Sequence, residues 1–387
     1  MSQLVWLRND LRISDNSALH AASQRGPTVC VFLIDTAQWQ SHNMSPWRMA
    51  LTLRNVDCVS QQLALLGIKL IIRTCNTFAE APDLIVKCAQ EIGASCVSFN
   101  AEIALNEQRR DARVEAALAN SGIACECHQN FTHIPPGAVT KPDGSGYTVF
   151  TPFKKRWLAH PLAEPSAPLP PPDAQGPPVP ASRAPDQTGG TKKTFGANFW
   201  GAGEIAAQQS LAEFLRCRAE HYIQIRDLPD QPGTSKLSAH LAIGTISVSQ
   251  CLYAAYDANK QRLSGGNEGI DTWISELIWR EFYNHILAAN PRLSRGEPFR
   301  RETEQLRWND NDEWLDRWKS GETGFPLVDA GMKQLNATGW MHNRLRMVTS
   351  QFLAKHLFIN WRQGERYFMR NLVDGDFASN NGGWQWS

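Results

Sequence analysis

Ten prolines fall between residues 161 and 185, three of them consecutive at Pro170, Pro171 and Pro172. Proline fixes φ and carries no amide hydrogen, so this stretch cannot join a helix or a sheet ladder and should run as an extended surface connection. A chain of 387 residues is also longer than one hydrophobic core commonly serves. The proline tract therefore predicts a junction, with one domain over 1–135, a connector over 136–203 and a second domain over 204–387.

The two sides of this junction differ in periodicity. Before it, β-rich runs at Gln3–Leu7, Val29–Asp35, Lys69–Arg73, Cys96–Asn100 and Ala124–Gln129 alternate with helical spacing at Pro46–Leu66, Ala79–Ile92 and Asn106–Ser121. That alternation predicts βαβ units and a doubly wound parallel sheet, an α/β domain. Ligand crevices in such sheets lie at the carboxyl ends of the strands. No GxGxxG follows the first run, which argues against an ordinary dinucleotide site. After the junction the spacing is helical throughout, predicting an all-α domain. Asp271 is expected to cap a helix that Pro291 stops at Asn290. Its apolar stripe is Ile274, Leu277, Ile278, Phe282 and Ile286, while Glu276, Trp279, Arg280 and Tyr283 share another face. A carboxylate, an indole and a guanidinium facing one way suit a planar polar ligand. An ordinary amphipathic surface helix has the same spacing.

Composition narrows the partners. Net charge is +1, and from Glu204 onward 21 Lys and Arg face 22 Asp and Glu. A nucleic acid would have to be met by basic residues clustered on one face. No apolar run approaches the roughly 20 residues of a membrane span, and the opening MSQLVWLRNDLR lacks a signal-peptide pattern. A soluble, cytoplasmic protein without membrane contact is expected. Nine cysteines form no CxxC pair, and Cys125 and Cys127 are expected on opposite faces of a strand. Reduced thiols are the reading, rather than disulfides or a metal site. Fourteen tryptophans, nine of them after residue 270, mean either a large aromatic core or aromatic chemistry.

Three segments carry chemistry-bearing residue types. Thr234, Ser235, Lys236, Leu237 and Ser238 precede the helical run Ala239–Ile243, where hydroxyls and free N–H groups can cradle phosphate or simply cap the helix. On a helix over 340–347, Asn343 and Met347 share a face with Arg344 beside them, a set able to read a base. The tail DGDFASNNGGWQW packs two aspartates, paired amides, glycines and two indoles into 13 residues.

The segments LVWLRNDLRISDN, TSKLSAHLAIGTIS, ELIWREFY, GWMHNRLRM, NWRQGERYFM and DGDFASNNGGWQW, in this order, resemble the photolyase/cryptochrome family over essentially the whole chain. The resemblance implies an α/β antenna domain joined by a long connector to a helical FAD domain. It places Tyr222, Thr234, Ser235, Lys236, Leu237, Ser238, Trp273, Glu276, Arg280, Asp374, Asp376 and Asn380 around FAD, with Asn380 facing flavin N5. It places Arg226, Glu276, Trp279, Asn343, Arg344, Met347 and Trp386 in a pocket for damaged DNA. It makes Trp384, Trp361 and Trp308 an electron relay. The implied activity is light-driven repair of cyclobutane pyrimidine dimers in UV-damaged DNA. A dimer flipped out of the duplex receives one electron from excited reduced flavin, with Glu276 stabilising the radical anion.

Asn343, Arg344, Met347 and Asn380 resemble the dimer-repairing branch. The alternative is a cryptochrome-like photoreceptor without repair. The resemblance further implies a monomer with no obligate protein partner, and an antenna chromophore. For methenyltetrahydrofolate the matching positions are His42, Asn106, Glu107 and Arg295. A deazaflavin would sit deeper in the α/β domain. Asn106 and Glu107 can equally cap a helix starting there. Two departures stand out. Arg295 replaces the lysine of some folate-binding relatives, and Ala239 a common proline. Family members also continue past WQWS, so a truncated chain is expected, lacking part of the flavin pocket and of the DNA-facing surface.

Overall fold

The computed structural model describes residues 1–185 and 200–387, so residues 186–199 of the expected connector lie outside the described residues. The first 128 residues build β1 (Ser2–Leu7), β2 (Thr28–Ile34), β3 (Lys69–Thr74), β4 (Ala94–Asn100) and β5 (Ala124–His128). All pair in parallel, in the order β3-β2-β1-β4-β5. Between them run α1 (Ser17–Ser23), α2 (Thr36–Ser41), α3 (Pro46–Leu65), α4 (Ala81–Glu91) and α5 (Leu105–Asn120). Side chains alternate along β1 as a pleated strand requires. Val5 and Leu7 enter a core shared with Leu19, Val56 and Leu63 of α1 and α3. Leu4 and Trp6 enter the opposite one, with Ile85, Val114 and Leu118 of α4 and α5. Both faces are covered, as the near-continuous apolar strands predict.

The proline-rich tract has neither helix nor strand up to Pro185. It is held by backbone and side-chain bonds to the α/β part, including Gln175 N–H to the Leu66 carbonyl at 2.8 Å and Val179 N–H to the Ala64 carbonyl at 3.0 Å. One helix, α6 (Phe150–Leu158), precedes the tract. Beyond it come α7 (Glu204–Cys217), α8 (Tyr222–Ile225), α9 (Ser238–Ile243), α10 (Val248–Ala258), α11 (Glu268–Ala289), α12 (Asp312–Ser320), α13 (Pro326–Thr338), α14 (Asn343–Gln351), α15 (Trp361–Asn371) and α16 (Phe377–Trp386). The expected class, a parallel α/β sheet joined to an all-α part, is the one observed.

Helix α11 is the axis of the helical part. It buries Ile270, Trp273, Ile274, Leu277, Ile278 and Phe282. It also buries Glu281 fully. That carboxyl accepts the N–H groups of His133 at 3.0 Å and Ile134 at 3.1 Å, pinning the chain that leaves β5 across α11. Burial pushes it up to about 7. The two halves also meet backbone to backbone. Gly244 takes φ +78°, and a Cβ there would lie 1.9 Å from the Asn9 carbonyl oxygen.

Several local expectations need correction. Helix α11 starts four residues early because Asn267, not Asp271, caps it, accepting from Gly269 and Ile270. Asp271 instead accepts the N–H groups of Gly265 and Gly266. Helix α5 begins at Leu105 with Ala104 at the cap position and no side-chain cap, so neither Asn106 nor Glu107 caps it. Cys125 and Cys127 stand two apart on β5 and so face the same way. All nine cysteines are free. Helices α1 and α2 were not visible in the periodicity.

Candidate cofactor and nucleic-acid site

A cavity of about 470 Å³ opens in the helical part. Four segments wall it: the loop before α9, the polar face of α11, the start of α14, and the turn into α16 together with that helix. The loop 234–238 turns on Lys236, whose φ of 53° is left-handed, and all five of its residues line the cavity. From α11 come Trp273, Glu276, Trp279, Arg280 and Tyr283. From α14 come Asn343, Arg344, Arg346 and Met347. The last wall supplies Asp374, Asp376, Asn380, Trp384 and Trp386. Tyr222 and Arg226 from around α8 complete the ring.

Every residue assigned to FAD or damaged DNA therefore faces one space. Burial sorts them. Tyr222, Leu237, Trp273, Asp374 and Trp384 are buried at the floor, whereas Asn343 and Trp386 are exposed at the mouth. Of the three tryptophans expected to form a relay, only Trp384 lines the cavity. Trp361 is buried behind it, and half-buried Trp308 packs against the same cluster. Gly364 makes this possible, since a Cβ there would lie 2.1 Å from the Trp384 ring.

The mouth carries a charged network. Arg226 donates to Glu276 at 2.7 Å. Arg344 donates to Asp227 at 2.6 Å and to the Met347 sulfur at 3.2 Å. Burial raises the Glu276 carboxyl above its ordinary range, against the pull of Arg226. Trp279 stacks on Phe150 with ring centroids 3.6 Å apart and planes 8° from parallel. Phe150 is not on the cavity wall, so it backs the indole and fixes its plane. Sequence reasoning missed Phe150. It also missed Arg346, whose guanidinium meets both oxygens of buried Asp374, at 3.0 and 2.8 Å. Asn380 donates to the Glu365 carbonyl at 3.1 Å, which leaves its own oxygen as an acceptor for another group.

FAD suits this donor set. The hydroxyls of Thr234, Ser235 and Ser238 with the Lys236 ammonium fit a pyrophosphate. The carboxylates of Asp374 and Asp376 and the amide of Asn380 fit the N–H and ring-nitrogen edge of a flavin. The buried Trp384 Nε1 has no hydrogen-bond partner among the described residues.

A second cluster lies at the carboxyl ends of the strands. His42 approaches Asn106 at 3.1 Å and Glu107 at 3.4 Å. Burial, then the Glu102 charge, pushes the Glu107 carboxyl up to about 7. Arg295 lies next to Ser294, whose hydroxyl accepts the Leu105 N–H at 3.3 Å, so it stands beside the start of α5. Deeper, where the strand order reverses between β1 and β4, the crevice is filled. Arg8 meets Asp111 at 2.7 Å, and Arg110 meets Glu102 and Asp111 at 2.7 Å each. Both guanidiniums lie 4.6 Å from the Trp6 ring. Burial alone would raise the Glu102 carboxyl, but Arg110 and Arg8 hold it down to about 2.

Comparison with known proteins gives one answer. The profile described as "DNA photolyase" matches residues 3–173, and that described as "FAD binding domain of DNA photolyase" matches 273–387. The chain is 40% identical to the deoxyribodipyrimidine photo-lyase of Escherichia coli (strain K12), over all of this chain and 81% of that protein. A bacterial class III photolyase from Agrobacterium tumefaciens superposes with TM-score 0.86 at 32% identity, covering all of this chain and 79% of that one. A Synechocystis cryptochrome superposes at 0.87 with 26% identity, covering all of this chain and 81% of that one. With both profiles in order and this identity along its whole length, the chain belongs to the photolyase/cryptochrome family.

Proposed function

We propose that this chain is a deoxyribodipyrimidine photo-lyase, splitting the two carbon–carbon bonds that join adjacent pyrimidines in UV-damaged DNA. One observation carries the reading: the cofactor set and the base-reading set line a single cavity, with Glu276 belonging to both. When bound in its reduced form and excited by light, FAD supplies one electron, which returns at the end. The chain's own residues do the rest. Trp279, backed by Phe150, and Trp386 offer flat apolar walls to flipped-out bases. Arg344 and Arg226 hold phosphates or base carbonyls. Burial favours the neutral form of the Glu276 carboxyl against the pull of Arg226, and the neutral form is the one that can hydrogen-bond a pyrimidine carbonyl where negative charge develops. The aromatic walls exclude water.

In binding assays, Trp279→Ala and Arg344→Ala are each expected to weaken binding to dimer-containing DNA more than to undamaged DNA. Stacking on one base is worth about 1–3 kcal/mol, roughly five-fold to 150-fold in affinity. Equal losses on both DNAs would sink the lesion-pocket assignment. Normal flavin binding with no dimer discrimination in the wild-type chain would favour a cryptochrome-like photoreceptor instead. The chain is read as working in the cytoplasm, as a monomer, and its nine free thiols suit a reducing compartment.

For the antenna, methenyltetrahydrofolate at His42, Asn106, Glu107 and Arg295 is favoured over a deazaflavin. What supports it is the ionic cluster of Arg8, Glu102, Arg110 and Asp111, which occupies the deeper crevice with its charges paired. Glu107 accepts pterin N–H groups as a carboxylate, so folate occupancy is expected to fall as pH drops below about 7. Chromophores released from purified protein and identified by mass and absorption test this. Recovery of a deazaflavin, or full folate occupancy in Glu107→Ala, would overturn it.

A further inference from the structure

Arg48 belongs to α3, in the α/β half, yet its guanidinium ends between two walls of the cofactor cavity. It is nine-tenths buried. One terminal nitrogen donates to the Gly375 carbonyl, between Asp374 and Asp376. The other donates to the Ala242 carbonyl at 3.0 Å, near the end of α9, and to the Asn9 amide oxygen at 3.3 Å. Ala242, Asp374 and Asp376 line the cavity, and Arg48 does not. The neighbouring start of α3 braces the same loops. Ser45 donates to the Leu372 carbonyl at 2.6 Å, and Gly339 lies so close to the Trp47 ring that a Cβ would stand 2.8 Å from it.

We infer that Arg48 is a positioning residue for FAD, supplied by the α/β half: it fixes the Asp374–Asp376 turn against the α9 wall and so sets the width of the cavity. A planar fork suits this role. It serves acceptors on both walls at once, with fixed geometry between them, and a lysine ammonium on a flexible stem holds no such spacing. The buried positive charge also stands behind the two cavity-facing carboxylates, its main favourable partners along with Glu102. Removing it loosens the turn and leaves those charges less compensated, which opposes binding of a cofactor that itself carries phosphate charge.

The test reconstitutes the full 387-residue apoprotein with FAD and follows flavin fluorescence, for wild type, Arg48→Gln, Arg48→Lys and Arg54→Gln. Arg54, lower on α3, bridges to the Trp200 carbonyl at 3.0 Å and touches no cofactor loop, so it controls for generic loosening between the halves. Arg48→Gln is expected to weaken FAD roughly ten- to hundred-fold, the range for charge-assisted hydrogen bonds. Arg48→Lys is expected to fall between it and wild type, and Arg54→Gln to bind as wild type. The rise in Tm that FAD confers should shrink in the same order, a change that a purely structural brace, lowering apo and holo stability alike, does not produce. Unchanged FAD affinity in Arg48→Gln, or equal weakening in Arg54→Gln, overturns the inference. Should Arg48→Gln not fold, Arg48→Lys decides alone: wild-type affinity overturns it and a measurable loss supports it. A wild-type chain that binds no FAD would instead refute the assignment of the cavity itself.

Discussion

Trp308→Phe is expected to abolish light-driven reduction of oxidised FAD in this chain, while leaving repair by chemically pre-reduced enzyme intact. The substitution keeps an aromatic ring against Phe358, whose centroid lies 5.1 Å away, so packing changes little. Phenylalanine is much harder to oxidise than tryptophan, so the path is cut at that ring. Of the three tryptophans expected to form the relay, Trp384 and Trp361 are 3% and 7% exposed, and only half-buried Trp308 is open to an external donor. The measurement is the loss of oxidised-flavin absorbance under blue light with a thiol present, alongside single-turnover repair after reduction with dithionite. Photoreduction at the wild-type rate would mean that the electron arrives by another route. The aromatic contact that offers such a route is Trp318, edge-on to Trp384 at 6.1 Å and to Tyr367 at 5.6 Å.

The second large effect concerns Arg346. Its removal leaves the Asp374 carboxylate, 2% exposed, without the guanidinium that meets both its oxygens. Stranding a buried charge in this way costs about 3–5 kcal/mol, and because Arg346 is itself about a quarter exposed the lower figure applies. Arg346→Ala is thus expected to lower unfolding stability by about 3 kcal/mol and to impair FAD binding, as read by urea titration and flavin fluorescence. Adding Asp374→Asn should restore part of the stability, because most of the cost is the stranded charge. A loss below about 1 kcal/mol, the worth of a surface pair, would show that water reaches Asp374 and that the bridge is incidental.

How far such features are legible in sequence depends on the distance between partners. The strands were legible because a strand buried on both faces, such as TVCVFLI in β2, needs little polar relief. Helix α1 was not, because SALHAAS is short and weakly apolar; it forms on the Asn16 cap and on packing against the sheet. The start of α11 was misplaced because Asn267 and Asp271 are both good caps, and only the loop at Gly265 and Gly266 decides which is used. The cavity's residues could be named because the chain's segments resemble a known family. The groups that hold the motifs together could not, since Arg346 finds Asp374 across 28 residues and Arg48 finds Gly375 across 327. No periodicity encodes pairs that distant. Phe150 is invisible for the same reason: its indole partner lies 129 positions along the chain.

The contact at Gly244 bears on how such a protein can change over time. Its carbonyl accepts from Arg12 at 2.9 Å, and its α-carbon leaves no room for even a methyl group against Asn9. The two halves are thus fitted main chain to main chain, where no side chain can shrink or turn aside to absorb a mismatch. A graft that joins the α/β half of one relative to the helical half of another must therefore bring the β1–α1 loop and the turn after α9 from the same parent.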